Sequence, residues 1–292
     1  MTLQKTGIPL TKEIFAKTTQ SLRENPNLFI PFLIFAAFES LSLIFIYLIP
    51  RMPLVRLFGP PIRTFWGERF LHYPANFLLM PKLGSLARMG LSVVIGSLLT
   101  GIAVLIISEV YHKKQIKMEV AAKSALRKYP MLLVIILAVT ALFYLSVKFC
   151  TITLAKYFIA GHSRLLFLKP AIWMGPILIC INFIAGIFLQ SLFTYAIPAL
   201  MLDKEKLLKA IWKSFVLFKK LFLPTLCLVG LPMLLYIPII VLSYHNAFLI
   251  YKLFPEFILW VAFLSMVVSS LIIDPLVTVA TTLLYLEHKG NK

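Results

Sequence analysis

Six apolar runs dominate the sequence, at residues 28–49, 89–110, 129–161, 170–202, 223–243 and 256–286. Each matches or exceeds the ~20 residues that carry a helix across a bilayer. Backbone N–H and C=O groups inside hydrocarbon must be satisfied within the segment, which a helix does. The chain therefore reads as all-α, a polytopic integral membrane protein with six transmembrane helices forming one domain over residues 1–292. Sixty per cent of its residues are apolar and 14% charged, against roughly 45–50% and 25% in soluble domains. The first run is followed by Pro50-Arg51 with no small-residue cleavage pattern, so it reads as a retained span.

The net charge of +18 would raise nucleic acid as a partner. No Gly-rich phosphate loop, RNP-type strand or zinc-finger spacing accompanies it, and the basic residues flank the apolar runs. Membrane lipids with anionic headgroups are the expected partners instead, and nucleic acid is not. Of the 29 Lys and Arg, 18 fall with residues 1–27, 111–128, 203–222 and the tail, and 11 on the other side. The positive-inside rule then places both termini in the cytoplasm of a cell membrane.

Residues 202–224 show how this chain enters a span. Leu207, Ile211, Phe215, Phe218 and Phe222 form one helical stripe, with Trp212 at its edge. Lys206, Lys209, Lys213 and Lys220 form another face, suited to lipid phosphates at the membrane boundary. Asp203 is placed to cap the helix start, and Pro224 predicts a kink or break at the span entrance. Two weaker amphipathic segments precede Pro26 and Pro130, so three cytoplasmic surface helices are expected. Units 12–110, 113–202 and 203–287 would form a parallel threefold repeat about the membrane normal. The alternative is the general habit of membrane helices to begin with basic residues and proline.

Residues 50–88 are broken by proline yet apolar, and predict short helices in the interface. Their Arg51, Arg56, Arg63 and Arg69, interleaved with Phe58, Phe65 and Trp66, are candidate contacts for lipid phosphate. In the fourth run, Pro176 and Pro198 predict kinks. Gly96 and Gly101 are read as points of close helix approach, and Asn182 and Gln190 as interhelical hydrogen-bonding groups.

Ionisable groups inside spans are costly, so Glu39 and Asp274 are candidate functional carboxylates. Asp274 adjoins Pro275, where a loosened helix would suit an ion- or proton-linked carrier. The competing reading is a structural hydrogen bond or salt bridge, and the sequence offers no evident basic partner within a span. His72, His162 and His245 fall one to each loop on the other side and are weak metal candidates, since none sits in a ligand-spaced motif. Cys150, Cys180 and Cys227 are isolated and suggest neither a disulfide framework nor a metal site. No cofactor is implied.

Residues 25–34 (NPNLFIPFLI), 209–224 (KAIWKSFVLFKKLFLP) and 274–287 (DPLVTVATTLLYLE) resemble a broad bacterial group of six-span proteins, mostly without assigned function. That group includes the membrane domain fused to glycerophosphodiester phosphodiesterases. The resemblance covers residues 12–287 through pattern more than diagnostic residues. The acidic and histidine metal-site motifs of the phosphodiesterase are absent, so it implies a fold and a membrane location without catalysis. No nucleophile–base pair or clustered ligand set appears at a shared depth. A non-enzymatic scaffold or lipid-contacting subunit, with a protein partner in the membrane, is the leading expectation. A small transporter using Glu39 or Asp274 comes second, and a lipid-modifying enzyme third.

Overall fold

A computed structural model describes residues 7–114, 117–159 and 170–290. Every regular element among them is helical. Helix α1 (Ile8–Glu24) leads through a short 3-10 turn into α2 (Ile30–Leu48). Helix α3 (Leu54–Phe65) lies beyond the far end of α2 and precedes α4 (Asn76–Leu91), which continues through a π-helical turn at Ser92–Gly96 into α5 (Ser97–Tyr111). Helix α6 (Met118–Arg127) precedes the long α7 (Tyr129–Ile159); α8 (Pro170–Phe193) and α9 (Ala196–Leu202) return. Helices α10 (Leu207–Lys220), α11 (Phe222–Leu234), α12 (Ile237–Tyr244) and the single turn α13 (Asn246–Phe248) follow. A π-helical turn at Leu249–Leu253 follows α13, and helix α14 (Phe257–Met266) passes through a third π-helical stretch, Val267–Ile273, into α15 (Asp274–Gly290).

Five continuous stretches are long and apolar enough to cross a membrane: Pro26–Leu48, Asn76–Tyr111, Tyr129–Thr153, Gly175–Leu202 and Phe257–Gly290. The fifth predicted span, residues 223–243, is not one straight helix: α11 gives way to α12 at Leu235–Tyr236, between Pro232 and Pro238. The surface helix α10 meets α11 at a bend of 97°. The break expected near Pro224 falls at Leu221, which leaves Pro224 in the first turn of α11, where its missing N–H costs nothing. The fourth span divides at Thr194–Tyr195. Pro198 lies four residues after Thr194, so it has no N–H for that carbonyl. Ser214 receives the Tyr195 N–H at 3.2 Å and donates to the Leu192 carbonyl at 2.7 Å, which satisfies the break.

The second span departs from the sequence reading. Residues 76–88, expected to belong to an interfacial segment, are the first turns of a helix that runs on to Tyr111. At 1.5 Å per residue its 36 residues extend roughly 54 Å, well beyond a ~30 Å hydrocarbon layer. Pro81 is tolerated near its start, and Arg88 is thereby carried into the bundle.

The larger core lies at the end of the bundle where α1, α6 and α10 pack. Their inward faces bury Ile14 and Thr18, Ala121 and Ala125, and Ala210 and Ser214 against the ends of α5, α9 and α15. Small residues let the helices approach there. A Cβ on Gly101 would stand 2.7 Å from Leu132 Cδ1, and one on Gly96 would stand 3.3 Å from Phe35 Cε2. A second core, with Ile62, Phe77, Met80, Ile239 and Ile258, closes the opposite end beneath α3 and α13.

Candidate functional site

Between these two cores lies a cavity of about 300 Å³. Helix α2 contributes Glu39 and Ser42, α4 contributes Ser85 and Arg88, the broken fifth segment contributes Tyr236, and α14 contributes Ser265. Leu43, Met80 and Val261 make the apolar part of the wall. Backbone irregularity surrounds this cavity. The π-helical turn at Ser92–Gly96 begins one turn past Arg88, the one at Val267–Ile273 begins beside Met266, and Tyr236 occupies the break between α11 and α12. Such turns inside membrane helices recur at functional sites, where side chains satisfy the displaced backbone groups. Here Tyr129 donates to the Val94 carbonyl at 2.9 Å, and Ser269 donates to the Ser265 carbonyl at 2.6 Å.

Glu39 is buried and bound on both oxygens. Arg88 Nε stands 3.0 Å from its Oε1, and Ser270 Oγ donates to its Oε2. Two opposite charges sharing a site, with a hydroxyl on the remaining oxygen, make such burial sustainable. Arg88 lines the cavity, and its guanidinium makes no other ion pair or aligned hydrogen bond among the described residues. Tyr236 and Ser265 share a hydrogen bond of 2.6 Å across the cavity wall. Asp274 lies one helical turn beyond Ser270, interacts electrostatically with both Arg88 and Glu39, and makes no hydrogen bond or ion pair among the described residues. The two carboxylates singled out in the sequence thus come together. Arg88, placed in a loop by the sequence reading, is the intramembrane base that reading did not find. The signal was available: after Pro81 no proline interrupts the chain until Pro130, so a helix could start well before Met89.

The basic helix α10 divides into three faces. Ala210, Ser214, Leu217 and Phe218 pack inward, while Leu208 and Trp212 remain exposed at 78% and 69%. Lys206, Lys209 and Lys220 stay exposed as expected. Lys213 does not join them. Together with Tyr285 it contacts Asp203 Oδ2, while Lys289 Nζ reaches Oδ1 at 2.6 Å. Asp203, expected to cap α10, instead ends α9 and gathers these three partners; Lys206 occupies the cap position without a side-chain bond. Burial works to raise the Asp203 carboxyl, and hydrogen bonds from Lys213, Lys289 and Tyr285 outweigh it, holding the group down to about 2 from its ordinary 3.8.

Around α3, Arg51 donates to the Tyr47 hydroxyl at 2.9 Å and Arg63 Nε stands 3.4 Å from Glu68 Oε1. Arg69 lies over the Phe70 ring, 4.9 Å from its centroid. All three remain exposed, as does Arg56, which has no partner among the described residues. His72 and His245 are exposed, and the His245 ring approaches the Val241 carbonyl at 2.9 Å. His162 lies outside the described residues. Among the described residues no three His, Cys, Asp or Glu side chains gather as a metal site would require. Comparison with protein-family models, curated proteins and solved structures finds no match.

Proposed function

We propose that this polytopic membrane protein is a non-enzymatic, lipid-contacting component whose bundle holds a membrane amphiphile in the Glu39–Arg88 cavity. The observation that carries this reading is a charged pair at mid-span, open to a cavity lined by both apolar and hydroxyl side chains. Binding cavities of this size and mixed lining hold small ligands by a few placed polar groups. The exposed Trp212 and lysines of α10 support a second lipid contact, at the headgroup level of the cytoplasmic face of a cell membrane. Kinship with the six-span group noted in the sequence belongs to the same proposal.

Gentle detergent extraction followed by mass spectrometry of retained lipids and proteins tests this. One lipid class held near stoichiometry supports the reading, and a co-purifying protein would identify the assembly it serves. Loss of all lipid after mild delipidation, with an unchanged melting profile, would sink it. Asp274 favours a second reading, a proton- or ion-linked carrier, because it stands beside the Glu39–Arg88 pair without a hydrogen bond of its own. In that case Asp274→Asn should abolish solute-driven proton flux in proteoliposomes while leaving insertion intact.

A further inference from the structure

The cavity opens to one side. Ser85 on α4 and Ser243 on α12 are its exposed lining residues, and the neighbouring Leu86 and Val241 are each 53% exposed. Helices α4 and α12 both pack on α14 without forming a substantial contact with each other. Helix α14 therefore floors a lateral gap edged by two serines with exposed apolar side chains beside them, as an opening toward lipid chains would be. A cavity of about 300 Å³ leaves room for a headgroup, while acyl chains would have to pass out through the gap.

The charges lining the cavity select among headgroups. Arg88 meets Glu39 through Nε and lines the cavity, and its terminal amino groups have no hydrogen-bond acceptor among the described residues. A guanidinium fork of that kind takes an oxyanion on two parallel N–H groups. An added anion alone would leave an excess negative charge beside Glu39 and Asp274, which is expensive at this depth. A cation on the same ligand removes that excess. Glu39 lines the cavity and can receive it there, its Oε2 held by Ser270 and its Oε1 paired with Arg88 Nε.

We infer that the cavity takes a zwitterionic lipid headgroup of the phosphoethanolamine kind, its phosphate on Arg88 and its ammonium on Glu39, with the chains leaving between α4 and α12. This rests on the amphiphile-binding reading above and names its ligand. Tyr236, Ser265 and Asn246, further along the wall, are placed for the neutral ester and glycerol oxygens.

The test is native mass spectrometry of the full chain in detergent with an equimolar mixture of dioleoyl phosphatidylethanolamine, phosphatidylcholine and phosphatidylglycerol. Phosphatidylethanolamine should be retained about tenfold over phosphatidylglycerol. Arg88→Gln and Glu39→Gln should each remove that preference. Ser85→Trp, at an exposed rim position whose hydroxyl bonds the Lys82 carbonyl rather than either charge, should block retention in a protein that melts normally, so the inference stays testable if the charge variants fail to fold. Preferential retention of phosphatidylglycerol, lost only in Arg88→Gln, would overturn the zwitterion while leaving an amphiphile site. Retention indifferent to all three substitutions would overturn both. Displacement by free O-phosphoethanolamine with no binding of the dioleoyl lipid would make the ligand a soluble zwitterion and overturn the lipid assignment.

Discussion

The Lys17 ammonium donates to Glu287 Oε1 at 2.5 Å, joining the first helix of the chain to the last. Equivalent contacts occur at the ends of the other two return helices. Glu109 near the end of α5 accepts the Lys117 N–H just before α6 at 3.3 Å, and Asp203 at the end of α9 binds Lys213 of α10. Each acidic residue thus ties a return helix to the surface helix that follows, and Glu287 completes the cycle by reaching back to α1. Reversing one charge should weaken this closure. Lys17→Glu is expected to lower the melting temperature in detergent, with a cost of about 0.2–1 kcal/mol because the pair is partly exposed. Combining it with Glu287→Lys should recover most of the loss. Equal melting of the single and double variants would show that the pair does not couple the ends.

Asp203 gives a pH signature at the same end of the bundle. Its folded carboxyl is held at about 2, below its ordinary 3.8. A depressed carboxylate stabilises the fold fully above the unfolded value, and that contribution disappears as pH falls through the folded one. Melting temperature should therefore hold down to about pH 4 and drop between pH 4 and 2. Asp203→Asn should lower the plateau and flatten that limb. A variant whose acid limb superimposes on the wild type would show that other carboxylates govern it.

The sequence made the helices legible because burial periodicity and proline are local signals. The boundary before Pro26, the surface helices, and the breaks near Pro198 and Pro224 all follow from residues within one or two turns. Partner identity was less accessible. Glu39 and Ser270 are 231 positions apart, and nothing near either residue names the other. Arg88 was obscured differently, since the Pro- and Arg-rich composition of residues 50–81 invited the same interfacial reading for residues that continue the helix. Asp203 met a competition that local rules do not decide. A capping position offers a carboxylate two backbone N–H groups, whereas two ammonium groups and a phenol brought in by α10 and α15 offer stronger, charge-assisted bonds.

Close packing of α5 against α6 and α7 at Gly101 predicts a sharp size limit. The nearest atoms, Leu132 Cδ1 and Ala125 Cβ, belong to fully buried residues. Gly101→Leu should destabilise by about 1–3 kcal/mol or more through overpacking, and Gly101→Ala by less. Adding Leu132→Ala to Gly101→Leu should restore part of the loss by vacating that space. Thermal unfolding of the three variants checks the order, and a wild-type melt for Gly101→Leu would show that these helices can separate without cost.

The Glu39–Arg88 pair should behave differently from the exposed pair at Lys17. Removing one partner of a buried ion pair strands the other, typically at about 3–5 kcal/mol, whereas removing both together is far less costly. Arg88→Met should fall near the lower end, about 3 kcal/mol, since Ser270 still bonds the stranded Glu39 carboxylate. Glu39→Gln should cost less again, because Ser270 can still bond the amide oxygen. The double variant should be more stable than Arg88→Met alone, giving a coupling energy of opposite sign to the two single losses. Additive losses would mean that Glu39 and Arg88 are each held mainly by other groups. A fully restored melt in the double variant, combined with loss of bound lipid, would instead separate the two roles of the pair: its charges are retained for the ligand, and the fold can do without them.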